Sequence, residues 1–144
     1  MPEPVIICLH QPALELAEKV ASLCDGEVHG LQSRVNTIPE TFEKTKEHLQ
    51  DLFQKGHPLV GICSSGILIR SLADVLSDKH TEPPVLAVAE DGSCVIPLLG
   101  GHHGANDLAR KIASGLGVAA AVSTAGDLKF CLLYTSPSPR DLAR

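Results

Sequence analysis

Five apolar runs, each only five or six residues long, constrain the fold of this chain more than any other feature. They fall at residues 5–9, 59–63, 85–89, 94–99 and 118–122 and draw mainly on Val, Ile and Leu. Runs this short, bounded by Gly, Pro or Ser, read as strands buried on both faces rather than as helices. The segments between them carry helical periodicity. Ala13, Leu16, Ala17, Val20, Ala21 and Leu23 share one helix face, with Gly26 as the expected stop, and residues 27–31 form a further short strand. Thr37-Ile38-Pro39-Glu40 combines a capping Thr, a Pro in the first turn and a Glu three residues on. That pattern predicts a helix carrying Phe42, Leu49, Leu52 and Phe53 on one face and ending at Gly56. Residues 67–76 predict another helix, and Leu108, Ala109, Ile112, Ala113 and Leu116 a last one closing at Gly117. Asp91-Gly92 between two apolar runs predicts a hairpin. The fold class expected is α/β, a three-layer α/β/α sandwich whose sheet is mostly parallel with one Asp-Gly hairpin.

Composition narrows the function. A chain of 144 residues supports one core, and the domain is expected to span residues 1–130. Net charge is −5 with Lys and Arg scattered, which argues against nucleic acid as a partner, and 3% aromatic residues leave little to stack bases on. No apolar run approaches the roughly 20 residues of a membrane span, and the acidic, Pro-containing start differs from a signal peptide, so no membrane partner and a cytoplasmic location are expected. Cys8, Cys24, Cys63, Cys94 and Cys131 are odd in number, lack C-x-x-C spacing and mostly sit in apolar runs. Buried free thiols fit better than disulfides or zinc, and no metal site and no resident cofactor are expected. Residues 131–141 resemble a translated sequencing adapter, so residues 131–144 are read as a non-native, disordered tail; on composition alone, a Pro/Ser linker reads equally well.

Three loops leave predicted strand ends. They hold Ser64, Ser65 and Gly66; Gly101, His102, His103, Gly104 and Asn106; and Ser123 and Thr124. Loops at strand ends in α/β sheets gather ligands, so these are expected to converge at one rim and present amide hydrogens to an acidic ligand. The bland alternative is that the glycines only permit tight turns. Ser64 and Ser65 lack a nucleophile elbow and read as helix caps, as does Asn106, with Asp107 complementing the helix dipole. Arg70 either reaches a ligand carboxylate or pairs with Asp74 four residues on. His102 and His103 offer an acid, a base or a hydrogen-bond donor near neutral pH, although adjacent side chains do not easily face one pocket.

The series Ser65-Gly66-Ile67, Ile69-Arg70, Asp78-Lys79, Pro84-Val85, Asp91-Gly92, Leu98-Leu99, Gly101-His102, Gly104-Ala105-Asn106, Leu108-Ala109 and Ser123-Thr124 resembles the N-terminal domain of the cobalamin biosynthesis protein G family, the cobalt-precorrin-5A hydrolases. The resemblance covers residues 59–127. It implies a part in building the corrin ring of vitamin B12, where family members open a lactone on a cobalt-precorrin and release acetaldehyde. The partner it implies is a precorrin or cobalt-precorrin rich in carboxylate arms. It implies His102 as the catalytic residue, with Ser64, Ser65, Gly66, Arg70, Gly101, His103, Gly104, Asn106, Ser123 and Thr124 binding substrate. The loop from Gly101 to Asn106 is one residue shorter than in stand-alone hydrolases. In that respect it looks like versions fused ahead of a precorrin-3B C17-methyltransferase, whose C-terminal domain would bring an S-adenosylmethionine site. Hydrolase domain and non-catalytic corrinoid-binding module both follow from the resemblance.

Overall fold

β-Branched and aliphatic runs form the centre of the molecule because each strand must be apolar on both faces once helices cover both sides. The computed structural model describes residues 2–78 and 80–123. Its strands are β1 (Val5–Cys8), β2 (Glu27–Leu31), β3 (Thr41–Phe42), β4 (Leu59–Ile62), β5 (Val85–Val88) and β6 (Val95–Leu99), and its helices α1 (Leu14–Cys24), α2 (Thr45–Gln54), α3 (Ser65–Leu72) and α4 (Ala105–Leu116). The sheet order is β3-β2-β1-β4-β5-β6. All neighbours are parallel except β5 and β6, which pair antiparallel with Val88 opposite Val95 and Val85 opposite Leu99.

Alternation along the strands divides the core into two layers. Ile6, Cys8, Val60, Ile62, Leu86 and Val88 meet Ala17 and Val20 of α1 and Ala109 and Ile112 of α4. Val5, Ile7, Leu59, Val85 and Ala87 meet Leu49, Leu52 and Phe53 of α2 and Leu68 and Leu72 of α3. Two helices therefore lie on each face, which is the expected three-layer sandwich. Residues such as Ile6, Ile7 and Leu86 are completely buried, each contributing about 1.5–3 kcal/mol of transfer free energy.

Several local expectations are corrected. The segment at residues 37–44 is not helical. Thr41–Phe42 instead extends the sheet: the Gly30 amide donates to the Glu40 carbonyl at 3.0 Å and the Gln32 amide to the Phe42 carbonyl at 2.8 Å. Satisfying the open edge of β2 outweighs the local capping pattern, and α2 starts only at Thr45. The left-handed residue ending α1 is Asp25 (φ 54°), not Gly26. Gly26 is needed for another reason, since a Cβ there would lie 2.7 Å from Ile6 Cδ1 and 2.8 Å from the Pro4 carbonyl oxygen. Residues 118–122 form no strand. A single bridge joins Ala120 to Val95, and the Ala121 amide donates to the Val95 carbonyl at 2.8 Å. Pro97 suits β6 to the edge of a sheet, not to a position with partners on both sides.

Candidate functional site

The reversal of β6 decides where the predicted site residues lie. Ser64, Ser65 and Gly66 follow β4 at the carboxyl ends of the parallel strands, whereas the segment after β6 emerges where those strands begin. Gly100 there abuts Pro83 and Pro84, just ahead of β5, and His103 shares a hollow with Pro2, Gly56, Pro83 and Pro84. Ser123 joins this second group, because residues 120–123 run alongside β6 in the same direction. The expected single rim is thus two rims on opposite edges of the sheet. Thr124 lies outside the described residues.

At the carboxyl edge, Ser64 occupies the cap position of α3 but makes no side-chain cap bond. The Arg70 guanidinium folds back over Gly66, its Nη1 about 3.1 Å from where a Cβ on that glycine would sit. Asp74 does not pair with Arg70; it binds Lys46 at 2.9 Å, which holds its carboxyl below the ordinary carboxylate range. Glu90, after β5, reaches across to His10, after β1, at 2.9 Å. Its charge also adds to burial in pushing the Cys63 thiol up to about 11. This edge thus carries charges of both signs, Glu90 and Arg70, beside a neutral thiol. The four described cysteines are free, Cys8, Cys24 and Cys63 among them buried.

At the opposite edge, Gly100 (φ 84°) and Gly104 (φ 90°) bracket a short 3-10 turn, Gly101–His103. The Gly100 carbonyl accepts from the amides of His103 at 2.9 Å and Ala105 at 3.2 Å, which fixes the approach into α4. Gly104, not Asn106, caps α4; Asn106 is the second helical residue and is buried. Asp107 lies in the first turn as expected, 3.8 Å from Arg110. A crevice of about 100 Å³ opens here between Leu98, Leu99, Gly101, Asn106 and Ser123. His102 and His103, which follow Gly101, are exposed. His80, which sequence reasoning missed, joins them: its ring centroid is 4.7 Å from that of His102, and its carbonyl accepts a hydrogen bond from His103 Nε2. That bond commits His103 Nε2 as a donor, whereas the rings of His80 and His102 make no hydrogen bond among the described residues. Nothing near residue 80 in the sequence signals this contact, which arises from two loops meeting at one sheet edge.

A family model described as cobalamin synthesis G N-terminal matches residues 47–127. Over 82 residues the chain is 38% identical to the cobalt-precorrin-5A hydrolase of Priestia megaterium, covering 56% of this chain and 22% of that protein. Over 71 residues it is 42% identical to the enzyme of the same name from Salmonella typhimurium, covering 49% and 20%. The match thus spans about a fifth of the length of these curated relatives. A crystal structure of a cobalamin biosynthesis protein G homologue from Sulfolobus solfataricus superposes with a TM-score of 0.62 at 21% identity, covering 90% of this chain and 40% of that one, so the fold is shared. With more than half of its residues matched, from α2 through α4 and beyond, the chain belongs to the cobalamin synthesis G N-terminal family.

Proposed function

We propose that the chain serves cobalamin biosynthesis as the N-terminal part of a cobalt-precorrin-5A hydrolase, and that the crevice at the start of α4 grips one carboxylate arm of the precorrin. The observation that carries this reading is one small opening lined by Gly101, the first turn of α4 with buried Asn106, and Ser123, with exposed His102 and His103 following Gly101 in the chain. A helix amino terminus presents amide hydrogens and the positive end of its dipole, both suited to a carboxylate. About 100 Å³ holds roughly three waters' worth of liquid, room for one carboxylate arm and not for a macrocycle. The ring must therefore lie outside, over His102 and His103, where the remainder of the protein can complete its enclosure.

In this arrangement His102 is the group free to move a proton. A neutral imidazole takes a proton from water as it attacks a lactone carbonyl, and the resulting imidazolium returns it to the departing alkoxide. His103, committed through Nε2 to the His80 carbonyl, orients the loop and offers a fixed dipole. Both curated relatives carry the hydrolase name, which supports this reading over a methyltransferase partner.

The test uses the full-length enzyme that contains this chain, with acetaldehyde release from cobalt-precorrin-5A as the readout. His102→Ala should lower kcat by 10²- to 10⁴-fold, the usual contribution of a general acid or base. Asn106→Ala should mainly raise KM. Unchanged turnover in His102→Ala would remove the catalytic role, and unchanged KM in Asn106→Ala would remove the grip on the arm.

A further inference from the structure

The β2–β3 side of the sheet carries a second constellation, remote from both rims in the strand order. Glu27 and His29 are two residues apart on β2, so their side chains share a face, and pairing with Val5 and Ile7 turns that face toward α2. Glu40 arrives beside them because its carbonyl accepts the Gly30 amide at 3.0 Å as the chain enters β3. One ligand atom from each of Glu27, His29 and Glu40 lies within 4.8 Å of the other two. His29 is largely buried, with a side-chain exposure of 15%. We propose that Glu27, His29 and Glu40 form a binding site for a first-row divalent transition ion, with His48 holding the His29 ring in its ligating orientation.

Three features of the surroundings support the assignment. The first is charge: two carboxylates converge on one imidazole, and among the described residues no lysine or arginine pairs with either of them. Two like charges brought together need a counter-charge, and a divalent ion supplies it. The second is spacing. His29 Nε2 stands 3.4 Å from Glu27 Oε1, longer than the roughly 2.7–2.9 Å of a good charge-assisted hydrogen bond. Two ligand atoms sharing an ion at about 2.0–2.2 Å each lie near that separation.

The third feature is the outer partner. His29 Nδ1 is 2.8 Å from His48 Nε2, and the His48 ring is stacked on Phe42 with centroids 4.6 Å apart. A neutral His48 ring placed so can accept the His29 Nδ1–H through its Nε2. With His29 Nδ1–H donating to it, the lone pair of His29 falls on Nε2, facing the two glutamates. Ligating histidines characteristically donate their other ring nitrogen in this way. One imidazole with two carboxylates suits zinc, manganese, iron or nickel better than magnesium, which prefers oxygen alone. Three protein ligands leave an open coordination position for water or an incoming ligand.

Isothermal titration of the metal-free 144-residue chain with zinc chloride tests the site. Saturable uptake of one zinc per chain, undiminished by excess magnesium, is expected. Glu40→Gln, an exposed change that leaves the core untouched, should weaken uptake at least 10-fold, and His29→Gln should abolish it. His48→Gln should weaken it about 10- to 100-fold by freeing the ring. The double variant His102→Ala with His103→Ala should bind zinc as the parent does. Nitrogen-15 spectra of the histidine rings should show zinc shifting His29 Nε2. The proposal is overturned if the parent takes up no zinc, or if Glu40→Gln and His29→Gln both bind as tightly as the parent.

Discussion

At Gly100 the backbone leaves no room for a side chain. An added Cβ would stand 2.5 Å from the Pro83 carbonyl oxygen and 2.6 Å from Pro84 Cα, and φ is 84°, where L residues are strained. Both penalties fall on backbone, which cannot swing aside. Gly100→Ala should therefore cost about 2 kcal/mol or more, read as a lower urea midpoint, whereas Gly101→Ala, with nothing within 4 Å of its added carbon, should stay within about 0.5 kcal/mol. Equal effects from the two would contradict the packing around Pro83. Single residues were also where sequence reasoning was weakest. Asn106 has a capping residue's chemistry, yet Gly104 takes the cap because the 3-10 turn ahead of α4 advances the helix start. Glu27 and His29 were read only as part of a short strand and Glu40 only as part of a capping pattern, although an acid-x-His pair on a strand places both groups on one face by the two-residue period. The missing third member lies across a parallel pairing that no local pattern encodes.

Elements were more legible, because each strand and helix repeats its signal several times over. The apolar runs at β1, β4, β5 and β6 each became strands, and the 3.6-residue spacing of Leu108, Ala109, Ile112, Ala113 and Leu116 became α4, closed by left-handed Gly117. The failures were short. β3 has two residues, too few for any periodicity, and exists because β2 would otherwise expose its edge. Residues 118–122 are as apolar as a strand yet hold a single bridge, since alternation cannot report whether a neighbour is present. The same redundancy makes α4 a sensitive place to probe the first core layer. Ile112 is fully buried in the same core layer as Ile6, Ile62 and Leu86. Ile112→Ala should cost about 2–5 kcal/mol in chemical denaturation, and a loss below 1 kcal/mol would mean that α4 is not seated as described.

At the scale of the molecule, the order β3-β2-β1-β4-β5-β6 places a change of winding direction between β1 and β4. In open sheets of this kind ligands favour the crevice at the carboxyl ends there, the edge that holds Ser64, Ser65, Gly66 and Arg70. The motif residues 101–106 belong to the other edge, and the reason is a single event, the antiparallel return of β6. Local spacing identified both loops as strand-end turns but carried no information about strand direction, so the expected convergence failed while the family resemblance held. The structural neighbour shares the fold across 90% of the chain, which fits a topology that is set globally.

That return has a thermodynamic corollary. Strands of four residues or more separate the two edges by about 13 Å, beyond the distance at which substitutions usually couple. Arg70→Ala should therefore leave precorrin affinity, and the loss caused by His102→Ala, unchanged to within about 0.5 kcal/mol in a double-mutant cycle. A coupling above 1 kcal/mol would instead mean that one tetrapyrrole spans the sheet and touches both ends at once.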